Sequence, residues 1–210
     1  MKKEVGSRNS DIWLLGDSNP KNWQKVLKTP LDPRHPARHN IWTPVLEVIQ
    51  DRVFRMCRCR VDTSQIYVRN AVEDPSKKPP PQNVEWGIWI RNELQEFQKM
   101  VREHHPKIIF SFGAFSFEFA RRVLSEEPRR SYCYWGARNL GKQFRKRIGQ
   151  FNLATTNLLP LLHVSIARGR FIQSHDYFCG LEDSDYFDFT GNHIAQKLIE
   201  CRDGLSVWIE

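Results

Sequence analysis

The chain has no long apolar run, and this absence argues against a membrane-spanning protein. A helix that crosses a bilayer needs about 20 predominantly apolar residues, and no such stretch occurs among the 210 residues. The start of the chain, Met1-Lys2-Lys3-Glu4, is not followed by the apolar segment of a secretory signal. We therefore expect no membrane association and a cytoplasmic location, which would be nuclear in a eukaryote.

Cysteine is scarce and does not form a metal-binding pattern. The chain has five cysteines, and an odd number with no sign of secretion argues against a disulfide framework. Cys57 and Cys59 form the only close pair, and a zinc site would need a second pair near them. We interpret these two residues as ordinary thiols between a helix and a strand, and we expect no metal and no cofactor.

The residues that are present describe a basic globular protein. Apolar residues make up 40% of the chain, which is enough for the hydrophobic core of one domain, so disorder is not expected. The net charge of +8 suits a polyanionic partner, because each phosphate that a Lys or Arg neutralises releases condensed counterions. Nucleic acid is therefore a candidate partner.

Four short apolar runs predict buried strands, and they alternate with segments in which apolar residues recur at helical spacing. The alternation predicts an α/β fold of three layers, in which helices cover both faces of a central, mostly parallel four-stranded sheet. We expect one such domain over residues 11–210, after a flexible segment of residues 1–10. The predicted strands span residues 11–15, 66–68, 108–112 and 156–162, and the predicted helices span residues 41–54, 84–105, 113–124, 140–148 and 188–201.

Small and polar residues follow each predicted strand. Ligands of open α/β sheets bind outside the carboxyl ends of parallel strands, so we expect these residues to surround one site. They are Gly16, Asp17, Ser18 and Asn19 after the first strand, Asn70 after the second, Gly113 after the third, and His163 and Ser165 after the fourth.

In this order, the strand ends resemble the motifs of the uracil-DNA glycosylase superfamily, over residues 11–175. The superfamily has a glycine, an acidic or amide residue and a proline after strand one, and then an Asn that ends a strand before a Pro-rich loop and a long helix. A Pro-Lys strand that ends in Gly-Ala follows, and a His-Pro-Ser motif comes last. The matching residues are Gly16-Asp17-Ser18-Asn19-Pro20, Asn70 with the loop through Pro81, Pro106-Lys107 with Gly113-Ala114, and His163-Val164-Ser165.

The resemblance implies a monofunctional DNA glycosylase, which hydrolyses the N-glycosidic bond of uracil or another deaminated or damaged base. The base would be flipped out of the DNA stack into a pocket. Asp17 and Asn19 both compete for the role of positioning the nucleophilic water. Asn70 would read the uracil edge with its amide, and His163 would donate to uracil O2 as negative charge develops there.

The resemblance further implies that the partner is DNA, bound by a monomer. An aromatic residue of the long loop would stack on the flipped base, and the loop after the last strand would wedge into the minor groove. The dense basic stretch of residues 121–147 is either a phosphate-binding face or a solvated surface. The candidate residues are Gly16, Trp23 (or His35) and Ser165 for the substrate, and Ile166, Arg168 and Arg170 for DNA.

Departures from the superfamily pattern leave two alternatives open. Three residues separate the glycine and the proline of the first motif, and Val164 replaces the proline of His-Pro-Ser. One alternative is therefore a DNA-binding protein of the same fold with weak or no catalysis. The other is a GDS-type serine esterase with Ser18 as its nucleophile, although Thr190 stands where an Asp should precede His193. The cysteine spacing of the iron–sulfur families is missing, so we expect no cluster.

Overall fold

A five-stranded sheet forms the centre of the computed structural model, which describes residues 3–19, 26–34, 38–163, 172–181 and 185–210. Its strands are β1 (Glu4–Val5), β2 (Ile12–Ser18), β4 (Tyr67–Val72), β5 (Ile108–Phe112) and β6 (Asn157–Leu161). Four of them are parallel, in the order β4-β2-β5-β6, and β1 pairs antiparallel with the outer edge of β4. The predicted α/β fold with four parallel strands is confirmed, and the short β1 extends the sheet by a fifth strand.

Helices connect the strands and lie against the sheet. Within the described ranges, none of them combines the length and the apolar character that crossing a bilayer requires. The helix over Ile172–Cys179 is not among the predicted elements, and the basic helix predicted over residues 140–148 begins earlier, at Ala137. The α-helices are α1 (Thr43–Cys57), α2 (Gly87–His104), α3 (Ala114–Val123), α4 (Ala137–Gly149), α5 (Ile172–Cys179) and α6 (Tyr186–Glu200), and short π or 3-10 turns span Arg38–Trp42, Pro75–Lys77, Tyr132–Tyr134 and Arg202–Gly204.

Two aromatic contacts, one on each side of the sheet, show which residues of β2 face which helix. Trp13 of β2 packs on Phe97 of α2, with ring centroids 5.7 Å apart. On the other face, Trp42 at the start of α1 packs on Phe110 of β5 at 6.0 Å, and Phe110 lies opposite Leu14 of β2. Because side chains alternate along a strand, the odd-numbered residues of β2 face α2 and the even-numbered residues face α1.

The carboxyl-terminal segment forms a second, two-stranded ladder. Strand β3 (Arg60–Val61) pairs antiparallel with β7 (Trp208–Ile209). The Gln50 side chain of α1 holds this ladder, because its amide accepts from the Val61 N–H at 2.9 Å and donates to the Val61 carbonyl at 2.8 Å. Leu205 and Val207 are buried beside it. The apolar tail therefore closes the core next to α1.

A buried carboxylate organises the loop after α3. Glu118 is fully buried in α3, and its oxygens accept from the Arg121 and Arg122 guanidinium groups at 2.8 and 3.1 Å. They also accept from the Trp135 indole N–H at 2.7 Å and from the Arg130 backbone N–H at 2.9 Å. A buried charge is tolerated when it is paired and hydrogen-bonded in this way. Arg121 and Arg122 of the basic stretch therefore stabilise the fold and are not part of a solvated surface.

The surroundings of Glu126, which lies beside this cluster, predict that the protein loses stability in acid. Burial raises the pKa of its carboxyl, but hydrogen bonds and charge from Arg147, with a further contribution from Arg121, leave the pKa below its ordinary value. A carboxyl with a lowered folded pKa contributes stability that is present above its unfolded pKa and is lost as pH falls through the folded pKa. We expect the difference in unfolding free energy between the wild type and Glu126→Gln to be largest near neutral pH and to shrink below about pH 4. Urea denaturation at a series of pH values measures it, and a difference that stays constant down to about pH 3 would contradict the assignment.

Candidate active site at the carboxyl edge of the sheet

Gly16 makes room for the Asn70 amide between two neighbouring strands. The two residues lie opposite each other in the parallel ladder of β2 and β4. A Cβ atom at position 16 would lie 2.1 Å from Asn70 Oδ1, which is far inside van der Waals contact. Only glycine at this position therefore allows the amide to lie across β2.

Asn19 and Asn70 form a hydrogen-bonded pair of amides. Asn70 Nδ2 donates to Asn19 Oδ1 at 2.6 Å, and Asn19 is only 7% exposed. The Asn19 backbone N–H donates to the Glu73 carbonyl at 3.3 Å, so the chain beyond β2 continues beside the chain beyond β4. The pair is fixed by both main chain and side chain.

Asp17 belongs to a separate cluster, on the opposite face of the sheet. As an odd-numbered residue of β2 it faces the α2 side, and its Oδ1 accepts from Lys78 Nζ at 2.7 Å. The same Lys78 ammonium lies 5.3 Å from the centre of the Phe115 ring of α3. Tyr132 packs on the same Phe115 ring at 5.4 Å, and its pKa is raised first by burial and then by the negative charge of Asp17. The two candidates for positioning water thus differ: Asn19 is joined to Asn70, and Asp17 is bound to Lys78.

Lys78 is a site residue that the sequence analysis did not select. It lies in the Pro-rich loop after β4, where Lys77-Lys78 reads as an exposed pair of charges. In the structure its side chain is only 24% exposed and turns back onto the end of β2. The loop is thereby tied to the first motif. The sequence signal was a lysine directly before a run of prolines, which is too common a pattern to single out.

Gly113 and His163 meet at the ends of β5 and β6. Gly113 has a φ of +89°, in the region that favours glycine, and a Cβ there would lie 2.9 Å from His163 Cβ. The Gly113 N–H donates to the Leu161 carbonyl at 2.8 Å, and the Leu162 N–H donates to the buried Tyr186 hydroxyl at 2.8 Å. These contacts fix the main chain directly before the half-buried His163.

Several predicted site residues fall outside the described ranges. Their predicted roles in stacking, substrate binding and DNA contact stay predictions. These residues are Trp23, His35, Ser165, Ile166, Arg168 and Arg170.

Thr190 and His193, the two positions of the esterase alternative that lie on helix α6, make contacts other than those that an esterase needs. The Thr190 hydroxyl, three residues before the histidine, donates to the Tyr186 carbonyl at 2.7 Å. His193 Nδ1 lies 2.8 Å from the Phe189 carbonyl oxygen, and its ring packs edge-on against Phe144. A catalytic histidine needs a free nitrogen facing the serine and a group that orients the other nitrogen. Nothing in these contacts directs His193 towards Ser18.

Within the part of the chain that the structure describes, no group of three or more His, Cys, Asp or Glu side chains is placed to hold a metal ion. Cys57 is the last residue of α1 and Cys59 is buried just before β3.

Fold and site together define an α/β domain whose polar site lies at the carboxyl ends of parallel strands. The sequence matches no protein-family model and no curated protein. Because one fold serves many functions, the function has to be argued from the side chains of the site.

Proposed function

We propose that this chain is a DNA glycosylase-like protein, a divergent relative of the uracil-DNA glycosylase superfamily. It would hydrolyse the N-glycosidic bond of uracil or another deaminated or damaged base. The observation that carries the proposal is the Asn19–Asn70 amide pair, seated over Gly16 near the carboxyl ends of two neighbouring parallel strands. The Gly113–His163 contact at the next two strand ends and the net charge of +8 support it further.

The amide pair suits the recognition of uracil. An Asn amide has two N–H donors and one carbonyl acceptor with two lone pairs. One Asn70 N–H donates to Asn19, and this hydrogen bond fixes which way the Asn70 amide is turned. The remaining N–H can donate to uracil O4, and Oδ1 can accept from uracil N3–H. Cytosine presents the reverse pattern, an acceptor at N3 and a donor at N4, and an amide held in this orientation would reject it.

The remaining steps need a water molecule and a donor for the leaving base. Asn19 Oδ1 has a second lone pair that can accept from a water directed at C1′ of the sugar. The C1′–N bond breaks as the water oxygen bonds to C1′, and the base leaves with the electron pair. The proton that the water gives up then neutralises the departing base anion, so the products are the abasic sugar and the free base. A hydrogen bond from His163 to the base oxygen would stabilise that negative charge, which is the kind of contribution that preorganised donors make.

Base release from defined oligonucleotides tests the proposal. The wild type is incubated with DNA that contains uracil, hypoxanthine or a mismatch, and alkali-labile abasic sites are measured. We expect release of at least one of these bases, and a loss of about a hundredfold or more in His163→Ala and in Asn19→Ala. Asp17→Asn should stay close to the wild-type rate, because Asp17 faces the other side of the sheet.

The matched pair of variants at positions 17 and 19 makes the result specific. An oligonucleotide with only normal paired bases serves as the substrate control. Loss of activity in Asp17→Asn together with full activity in Asn19→Ala would reverse the assignment of the water-positioning residue. No release of any base by the folded wild type would overturn the enzymatic proposal.

One observation favours the non-catalytic alternative. The carboxylate of the first motif, Asp17, is paired with Lys78 at 2.7 Å, and this pairing lowers its capacity to stabilise a sugar cation. A protein that keeps the fold and a DNA-binding surface without efficient hydrolysis would have such a site. Tight binding of uracil-containing DNA with no abasic product would support this alternative.

A further inference from the structure

The basic stretch of residues 121–147 contains two groups of side chains with different surroundings. In the first group the side chains are used inside the protein. Arg121 and Arg122 pair with the buried Glu118, and Arg147 pairs with Glu126. Charges that are held in this way by carboxylates are not free to bind phosphates.

The second group is exposed and carries uncompensated charge. Arg130, Arg138 and Lys142 are exposed, and among the described residues no acidic side chain lies within ion-pair distance of any of them. Arg138 and Lys142 are four residues apart on α4, so their side chains lie on the same face of the helix. This face is therefore a positively charged surface.

Two tyrosines are interleaved with these charges. The Arg130 guanidinium lies 5.1 Å from the centre of the Tyr134 ring, and the Arg138 guanidinium lies 4.9 Å from the centre of the Tyr177 ring of α5. Each tyrosine is 46% exposed, so part of each ring is open to solvent. We call Arg130, Tyr134, Arg138, Lys142 and Tyr177 the Arg–Tyr surface.

The Arg–Tyr surface lies at the same edge of the sheet as the candidate active site. Helix α4 leads into β6, so its first turn is at the carboxyl edge of the parallel strands. The Asn139 side chain of that turn donates to the Tyr134 carbonyl at 2.7 Å. Two residues earlier, Tyr132 packs at 5.4 Å on Phe115, in the first turn of α3, which begins at the carboxyl end of β5. A strand bound at the site could thus continue over these residues.

We propose that the Arg–Tyr surface binds single-stranded DNA that flanks the base in the active site, an inference that rests on the proposed function. Exposed rings beside cations are the arrangement that unpaired nucleotides favour, since bases stack on the rings and phosphates meet the charges. Paired bases are stacked inside the duplex and have no face to offer a tyrosine. The surface therefore prefers a single strand over a duplex.

Fluorescence anisotropy with a labelled dT oligonucleotide of about 15 nucleotides tests this preference. The double variant Arg138→Gln/Lys142→Gln removes two charges. In a plot of the logarithm of the association constant against the logarithm of the salt concentration, its slope should be less negative than that of the wild type by about 1.4. Removing both rings in Tyr134→Leu/Tyr177→Leu should weaken binding about 20-fold or more and leave the salt dependence unchanged. The matched control Lys99→Gln/Arg102→Gln removes two charges from α2 at the opposite edge of the sheet and should bind as the wild type does.

The outcomes separate this inference from the proposed activity, because dT contains no base to excise. Wild-type affinity in the tyrosine variant, with an unchanged melting temperature, would overturn the inference even if uracil is released normally. An equal loss of duplex binding in that variant would also overturn it. A loss restricted to the single strand would support it, including in a protein that releases no base.

Discussion

Gly16→Ala should lower base release by a factor of about 10²–10³ while the protein stays folded. The added Cβ would lie 2.1 Å from Asn70 Oδ1, so the Asn70 side chain has to leave its position. Because the clashing atom is the end of a side chain, the strand itself can stay in place, at a cost of about 1–3 kcal/mol. The hydrogen bond to Asn19 is lost with that movement, and with it the orientation of the amide that reads the base.

A matched glycine and a double-mutant cycle make this prediction specific. Gly149→Ala, at the end of α4, adds the same methyl group where no atom lies within 4 Å. It should leave activity unchanged and should not destabilise the fold, with a gain in stability of up to about 1 kcal/mol. In an Asn70→Ala background, Gly16→Ala should no longer be destabilising, because the partner in the clash is absent. If the loss of stability in the double variant equalled the sum of the losses in the two single variants, the contact would not be the cause.

Glu118→Leu should lower the free energy of unfolding by about 3–5 kcal/mol, because the buried Arg122 guanidinium loses its carboxylate and the buried Arg121 guanidinium keeps only its pair with Glu126. Arg121 and Arg122 each have side chains that are 6% exposed, so water cannot replace the lost partner. The Trp135 indole N–H would lose its acceptor as well. For a chain of this length, we expect a fall in melting temperature of about 6–20 °C.

Glu103→Gln is the matched control for Glu118→Leu. Glu103 pairs with Lys99 at 3.6 Å on the outside of α2, where both side chains are more than half exposed. Surface pairs of this kind contribute about 0–1 kcal/mol, so the control should melt within a few degrees of the wild type. If both variants melted at the same temperature, Glu118 would not hold the loop after α3 in the way the structure indicates.

The sheet could be predicted from the sequence because each parallel strand contains a short apolar run that is buried on both faces. The residues at the strand ends could then be grouped, since all parallel strands end at one edge. The separation of Asp17 from Asn19 could not be predicted, because the first strand was expected to end at Leu15. Strand β2 continues to Ser18, so Asp17 keeps the alternation of the strand and faces α2.

Other features depend on contacts between distant segments. Strands β1, β3 and β7 have two residues each, too few for any periodicity to be read. Glu118 lies in a helix rich in phenylalanine, and only the folded protein brings the Trp135 and Arg130 donors to it. The division of the basic stretch into internal and exposed groups follows from that cluster, so charge density alone could not reveal it.

Pro160 has a consequence for how molecules of this protein meet one another. It lies within β6, at one edge of the central sheet, and it has no backbone N–H to donate. The opposite edge ends in β1, which offers only two residues. Long regular edge strands are the surfaces through which sheets of separate molecules join and aggregate. The strand that brings His163 to the site therefore also protects the protein against edge-to-edge aggregation.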